Sequence, residues 1–335
     1  MTRVAVVGAT GVVGGTIVSI LEERDFPVSE LRLMASHRSA GTVVSTRWGD
    51  VEVEDLAVAD PDGIDIALFS AGGTRSKQHA ERFVAVGATV IDNSSAFRMD
   101  PEIPLVVAQV NDEDAGTHRG IIANPNCTTM TLMMAAAPLH EAAGLRSVVA
   151  TSYQAVSGSG HHGVEELLAQ NESLGADPDL LIGGGWAEPD VSVYTRPIGF
   201  NALPFAGNEV EGGYTDEEMK LVNESRKILG LPYLKVEPTC VRVPVLVGHG
   251  IAATLRFERD IAADEAMTVL NSAPGLALWK DRVPTPLDSA GIDDVLAGRV
   301  RETVGEPGGI NLWVVGDNLR KGAALNAVQI AELVK

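Results

Sequence analysis

Arg3-Val4-Ala5-Val6-Val7-Gly8-Ala9-Thr10-Gly11-Val12-Val13-Gly14 is the stretch on which the fold class turns. Arg3 to Val7 reads as a buried strand, Gly8 to Gly14 as a tight turn, and Gly15 to Arg24 as an amphipathic helix, which together make a βα unit. Working outward, Leu31 to Ser36 supplies a second strand, Ile64 to Ser70 a third and Thr89 to Asn93 another, with a helical stretch from Ser76 to Val86 between the last two. Strands alternating with helices imply an α/β fold built on a parallel, doubly wound sheet. Pro125 closes the region, and Cys127 opens an apolar helix that runs to about His140.

Glycine in the Gly8–Gly14 turn lets backbone N–H groups approach a pyrophosphate, whose charge the following helix N-terminus stabilises. The turn therefore reads as a dinucleotide loop, with Gly8, Thr10, Gly11, Val12 and Val13 as cofactor contacts. A structural turn without a ligand fits the same glycines. At the end of the second strand, where a fold selective for NAD would carry Asp or Glu, stands Ser36-His37-Arg38-Ser39. A carboxylate would repel a 2′-phosphate, whereas arginine and hydroxyls bind one, so Ser36, Arg38 and Ser39 favour NADP. Arg38 equally fits a solvated loop charge.

Beyond Leu145 the pattern changes. Ser147 to Ala155 is strand-like, Gly163 to Asn171 helical, and a Gly/Pro-rich stretch covers about 175 to 213. A helix from Thr215 to Leu229 and strands Thr239 to Val247 and Ala252 to Glu258 suggest a second, α+β domain. The last helical segment, Gly322 to Val334, is expected to return to the first domain. The expected boundaries are thus 1–127 with 312–335 for the nucleotide-binding domain, and 128–311 for the other.

Composition narrows the partners. A net charge of −19 and a pI near 4.7 repel phosphate backbones and anionic lipid, which argues against nucleic acid and membrane surfaces. An acidic chain that handles an anionic substrate must gather a few basic residues, which singles out Arg98, Lys220 and Arg242. No apolar run reaches the length of a membrane span. The apolar N-terminus is broken by Gly8, Gly11, Gly14 and Gly15 and followed by Glu22-Glu23, unlike a secretory signal. With only Cys127 and Cys240, neither a disulfide framework nor a cysteine-based metal site is indicated, which fits a reducing cytoplasm.

Asn124-Pro125-Asn126-Cys127-Thr128-Thr129 puts a thiol in the first turn of a helix, where exposed amides and the dipole favour the thiolate that attacks carbonyl carbon. The same amides suit a developing oxyanion. A small buried hydrophobe is the other reading of Cys127, and the expected one for Cys240 inside its β-branched run.

The loop Gly8–Gly14 joins Asn93-Ser94-Ser95-Ala96-Phe97-Arg98, the Asn124–Thr129 segment, Ser152-Tyr153-Gln154-Ala155-Val156-Ser157-Gly158, Cys240-Val241-Arg242-Val243-Pro244-Val245 and Gly316-Asp317-Asn318-Leu319-Arg320-Lys321-Gly322-Ala323-Ala324. In that order and from end to end the chain resembles the aspartate-semialdehyde dehydrogenase family, its actinobacterial type above all. The resemblance implies a Rossmann-like NADP-binding domain, a catalytic and dimerisation domain, and a homodimer. It implies that Cys127 attacks aspartyl phosphate with release of phosphate, that the thioester is reduced to aspartate semialdehyde, and that His249 is the general acid/base. By the same resemblance Gln154 orients the acyl group and Arg242 binds the substrate carboxylate. Arg98, Asn126 and Lys220 form the phosphate group, Glu217 is a further substrate contact, and Ser157, Gly158 and Asn318 lie against the cofactor. It places the enzyme on the branch toward lysine, threonine and methionine.

From the residues alone, Glu217 and Lys220 also read as a surface ion pair three apart on a helix, Gln154 as a core amide and His249 as a structural imidazole. The nearest enzymatic alternative is N-acetyl-γ-glutamyl-phosphate reductase, which carries Gly-Cys-Tyr around its nucleophile where Asn126-Cys127-Thr128 stands here. A catalytically inactive NADP-binding relative is the alternative from another class.

Arg242 and His249 are an odd number of positions apart, so an unbroken strand would point them to opposite faces. The reading therefore requires a bend, and Pro244 or Gly248 can supply it. Gly250 where serine is usual, His161-His162 in place of small residues, and Ala108-Gln109 where Pro-Glu is common depart from the family. Adjacent histidines lack metal-ligand spacing, and no metal is expected.

Overall fold

The computed structural model describes residues 1–335. Its first sheet has seven strands: β1 (Thr2–Val7), β2 (Val28–Ala35), β3 (Val43–Thr46), β4 (Gly49–Asp55), β5 (Ile66–Phe69), β6 (Thr89–Asp92) and β7 (Ile121–Ala123). They lie in the order β3-β4-β2-β1-β5-β6-β7, parallel except for the β3–β4 hairpin at one edge. β1 is flanked by β2 on one side and β5 on the other, so the order reverses at its carboxyl end and opens a crevice there. Val4 and Val6 pack with helices α1 (Val12–Glu23) and α9 (Leu325–Val334) on one face. Ala5 and Val7 pack with α2 (Gly73–Val84) on the other.

The turn between β1 and α1 shows why glycines are needed. Gly8 has φ +89°, and a Cβ there would lie 2.3 Å from the Ser70 carbonyl oxygen. At Gly14, inside α1, a Cβ would lie 2.1 Å from the Gly8 oxygen and 2.8 Å from Ala9 Cα. Helix and turn are in backbone contact, and no side chain can be accommodated by rotation.

The second sheet has six strands: β8 (Leu145–Gln154), β9 (Lys235–Arg242), β10 (His249–Phe257), β11 (Leu276–Trp279), β12 (Val295–Glu302) and β13 (Ile310–Gly316), in the order β11-β12-β13-β10-β8-β9. Along β8 the burial alternates strictly near the carboxyl end: Val148, Ala150, Ser152 and Gln154 are buried, while Val149 and Tyr153 are among the exposed apolar residues. Helices α4 (His161–Gly175), α5 (Pro178–Gly183), α7 (Ala263–Ser272) and α8 (Pro286–Ser289) accompany it, and α3 (Cys127–Ala143) and α6 (Asp216–Ile228) complete the chain.

β9 ends at Arg242, five residues before the expected limit of Val247, and β10 begins at His249 rather than Ala252. The bend that Arg242 and His249 require is therefore present. Pro244 has no N–H to donate, and Gly248 has φ +96°. The connection does not dangle: Val243 N–H donates to the Gln154 carbonyl at 3.0 Å, and Val156 and Ser157 N–H donate to Val245 and Leu246 carbonyls at 2.8 and 3.1 Å.

The chain divides into two compact units, Met1–Met133 with Asn223–Tyr233 and Leu319–Lys335, and Met134–Val222 with Leu234–Asn318. The C-terminal helix is part of the first, as expected. The expected boundaries shift in three places, the first being residues 128–133, which fall in the first unit. Residues 312–318 stay in the second unit because β13 is a central strand of its sheet, and 223–233, the end of α6 and its turn, belong to the first. A single π turn over Arg320–Ala324 leads into α9, so the regular helix begins three residues after the expected Gly322.

Gly14→Ala is expected to cost about 1–3 kcal/mol of stability, the usual range for overpacking against atoms that cannot move. Urea unfolding of the variant beside the parent measures it; equal midpoints would refute the backbone contact as the reason for the glycine.

Candidate active site

In the first unit, Gly11 is the N-cap of α1 and offers no side-chain cap, so the first-turn amides of Val12 and Val13 have no intrahelical acceptor. They face the crevice end of β1, the arrangement that binds a pyrophosphate. Thr10 Oγ1 donates to Ser39 Oγ at 3.2 Å, which ties the glycine loop to the turn after β2. Ser36 and Ser39 are half-buried in that turn and Arg38 is exposed. A cradle in which a Cβ would strike backbone, a row of amides and a basic turn without a carboxylate together fit a nicotinamide dinucleotide.

Cys127 is the first residue of α3 and is half-buried. Asn126 caps this helix through Oδ1, which accepts from Thr128 and Thr129 N–H at 3.0 and 3.3 Å. The loop leading into it is held by buried side chains. Glu224 accepts the Asn126 N–H at 2.6 Å with one carboxylate oxygen and pairs with Arg98 at 3.0 Å through the other. Arg98, 7 % exposed, also donates to the Asn124 and Asn93 carbonyls at 2.9 Å each. Asn124 Nδ2 donates to Asn93 Oδ1 at 2.6 Å, and Asn326 Nδ2 donates to Asn124 Oδ1 at 2.6 Å. Arg98, Asn126 and Cys127 are thus brought together. Glu224, which holds two of them, lies in none of the motifs that mark the site; its signal in the sequence is the spacing Glu217, Glu224, seven apart on one helix face.

In the second unit the register of β8 puts Gln154 directly beside Arg242, while β10 pairs Gly250 with Tyr153. Gln154, Arg242 and His249 therefore end three neighbouring strands at one level. Arg242 donates to the Ala155 carbonyl at 2.7 Å and lies 5.9 Å from the Tyr194 ring centre. It lines a cavity of about 350 Å³ with Lys220, Glu217, Asp216, Gly158 and Tyr194. Lys220 Nζ bonds Asp216 and Glu217 at 2.9 and 2.8 Å, and Gln154 Nε2 donates to Glu217 at 3.3 Å. The Glu217–Lys220 pair exists, but it faces the cavity rather than bulk solvent. Burial alone would raise the Glu217 carboxyl; the Lys220 and Arg242 charges outweigh it and bring it down to about 2, so it is anionic at neutral pH.

His249 is fully buried, and its Nδ1 accepts the Ala155 N–H at 3.0 Å. That bond leaves the neutral ring's proton on Nε2. Burial, reinforced by the Arg242 charge, pushes the imidazole down to about 3. His249 Nε2 and Arg242 Nε are both buried and reach no hydrogen-bond partner. Gly158 lies between the two side chains: a Cβ there would sit 3.0 Å from an Arg242 terminal nitrogen and 3.3 Å from His249 Nε2. Ser157 and Asn318 are bonded to each other at 2.9 Å in the interior behind this turn.

Three departures from the family acquire structural reasons or none. Gly250 does not touch the orientation of His249; it lies on the opposite side of β10, where a Cβ would come within 2.2 Å of the Trp313 ring. His161 and His162 are exposed at the start of α4, and no group of three or more His, Cys, Asp or Glu residues is placed to hold a metal. Gln109 accepts from Lys321 Nζ at 3.3 Å beside the Ala108 carbonyl, in the first unit. Cys240 is buried, with burial pushing its thiol up to about 12, as expected of a core residue. No helix is long and apolar enough to cross a membrane.

Comparison with known proteins agrees with this arrangement of parts. Residues 3–118 match the family model described as semialdehyde dehydrogenase, NAD binding domain, and residues 136–321 the semialdehyde dehydrogenase, dimerisation domain. The chain is 54% identical to the aspartate-semialdehyde dehydrogenase of Corynebacterium glutamicum over 100% of its own length and 99% of the relative's. It is 55% identical to that of Streptomyces akiyoshiensis, over 99% and 98%. The crystal structure of aspartate semialdehyde dehydrogenase II complexed with ASA from Vibrio cholerae superposes with a TM-score of 0.94 at 43% identity, covering 100% of this chain and 98% of that one. With its glycine-loop domain, its cysteine at a helix start and its Gln154, Arg242 and His249 at one strand level, the chain belongs to the aspartate-semialdehyde dehydrogenase family of oxidoreductases.

Proposed function

We propose that this enzyme converts L-aspartyl-4-phosphate to L-aspartate-4-semialdehyde and phosphate with NADPH, through a thioester on Cys127. The observation that carries the reading is the pair of buried, unpartnered donors, Arg242 Nε and His249 Nε2, beside a carboxylate kept anionic at Glu217. Buried polar groups are ordinarily paired, so a ligand that reaches both donors would supply the partner each lacks. Arg242's planar guanidinium fits the α-carboxylate of an amino acid. Glu217 fits its α-ammonium, which an N-acetylated substrate does not have. This favours the aspartyl compound over the N-acetylglutamyl one.

The Cys127 sulfur attacks the acyl carbon, a C–S bond forms, and the C–O bond to phosphate breaks with its electron pair leaving on phosphate. Arg98, Asn126 and Lys220 bind that anion. Gln154, anchored through Glu217, orients the acyl group. His249 presents the Nε2 proton to the oxygen that carries charge in the tetrahedral states and takes it back as the C–S bond breaks, its electron pair returning to the Cys127 sulfur and the aldehyde being released. When bound, the nicotinamide supplies the hydride for the thioester carbon. Gly8, Thr10, Gly11, Val12 and Val13 would hold its pyrophosphate, Ser157, Gly158 and Asn318 would line its nicotinamide side, and Ser36, Arg38 and Ser39 would select NADP over NAD. The exposed face of the second sheet, with Val149 and Tyr153, is the surface of a homodimer. Two free cysteines and the use of a reduced pyridine nucleotide support a cytoplasmic enzyme, on the route to lysine, threonine and methionine.

Three measurements test this. Phosphate-dependent NADP reduction is expected with aspartate semialdehyde, none with N-acetylglutamate semialdehyde, and none for Cys127→Ser with either; turnover of the acetylated compound at comparable kcat/KM would reverse the assignment. Glu217→Gln is expected to lower kcat/KM for aspartate semialdehyde about 10- to 100-fold, the worth of a charged hydrogen bond, mostly through KM. The third concerns His249. Between pH 6.5, the imidazole's ordinary value, and about 3, the unfolded chain binds a proton that the folded chain does not, so stability falls as pH falls through that window. One proton corresponds to at most about 1.4 kcal/mol per pH unit. Urea unfolding at pH 7 and 4.5 should show a steeper loss for the parent than for His249→Asn; equal slopes would mean the imidazole is not held neutral.

A further inference from the structure

Asn318 does more inside the protein than a contact for a cofactor requires. It is 3 % exposed, and its Oδ1 accepts the N–H of Gly248, the residue before His249, at 2.9 Å. Its Nδ2 donates at 2.9 Å to the hydroxyl of Ser157, the residue before Gly158. Ser157 is 5 % exposed. The two residues so joined sit on the two segments that enclose the imidazole: 155–158, which supplies the Ala155 N–H to Nδ1 and the Gly158 Cα beside Nε2, and 243–248, which delivers His249 to its strand. Gly248, at φ +96°, is where the backbone must turn to set the first residue of β10, and its amide is held by Asn318 Oδ1.

We infer that Asn318 is a positioning residue for His249, a brace whose two ends lock the turn carrying the imidazole to the turn that covers it. Without it, Gly248 loses its acceptor, and the ring loses the support that aims Nε2. Because Nε2 is buried and must meet a reacting oxygen at hydrogen-bond distance, a displacement of even 1 Å is costly, on the order of 10²-fold in rate. The brace acts through hydrogen bonds at the two ends of a single amide, so Ser157 and Asn318 should behave as one unit.

This inference rests on the acid/base reading of His249, and the experiment separates the two. Asn318→Ala, Ser157→Ala, the double variant and His249→Asn are compared with the parent for kcat, for KM of NADP, and for thermal midpoint. Expected for Asn318→Ala is a fall in kcat of about 10- to 100-fold, with KM for NADP within about threefold. Ser157→Ala should show a smaller fall, and the double variant should be no worse than Asn318→Ala, because a coupled pair is not additive. A raised KM for NADP with kcat retained would overturn the brace in favour of a plain cofactor contact, as would additive effects of the two substitutions. If His249→Asn keeps full kcat, the acid/base reading falls and the brace with it; if His249→Asn is inactive while Asn318→Ala keeps kcat, only the brace falls. Should Asn318→Ala melt below the assay temperature, Ser157→Ala alone carries the test: a lowered kcat at unchanged KM supports the brace and an unchanged kcat overturns it.

Discussion

The ladder on either side of β8 is the constraint from which the second unit's chemistry follows. Parallel pairing with β9 places Arg242 beside Gln154, and antiparallel pairing with β10 brings His249 to the same end of the sheet. The two outer strands arrive there from opposite directions in a chain only a few residues apart. That is possible because residues 243–248 leave the ladder, turn at Gly248 and hydrogen-bond to the segment that follows Gln154. A slip of one residue in either pairing would send the corresponding side chain to the exposed face. Site geometry here is a consequence of strand register, and register is enforced by the buried face of Val148, Ala150, Ile251 and Ala253.

Electrostatics then decides what each group is at neutral pH. A buried imidazole next to a guanidinium stays neutral, and the Ala155 amide settles which nitrogen carries its proton. A largely buried carboxylate beside Lys220 and Arg242 stays charged. In the first unit, Glu224 offsets the Arg98 charge while fixing the loop that presents Cys127, with both carboxylate oxygens engaged. A buried pair of this kind adds little net stability; its effect is to leave Arg98 one orientation.

At Gly250 the departure from the family has a packing reason within this chain. The indole of Trp313 occupies the space a side chain at 250 would need, donates its N–H to the Pro284 carbonyl at 2.9 Å and packs 5.6 Å from the Tyr153 ring. The contact lies on the sheet face away from His249, so it leaves the imidazole's surroundings unchanged.

The βα unit, the glycine loop, the helix start at Cys127 and the need for a break between Arg242 and His249 are legible from the residue order alone. These are local matters: a run of apolar residues, a backbone that only glycine tolerates, the parity of positions along a strand. Family motifs carried the candidate roles further than composition or periodicity could. Only the tertiary structure decided which charges are buried. Glu217 and Lys220 read as a surface ion pair, yet they line a cavity, and Glu224 and Lys227 on the same stripe of α6 have interior partners: Lys227, for one, donates to three backbone carbonyls of residues 98–103. Nor could sequence show that Asn318 bonds to Gly248, seventy positions away. Spacing along a chain encodes which side chains share a face, but what that face meets depends on contacts distant in sequence, and those set desolvation, protonation and aim.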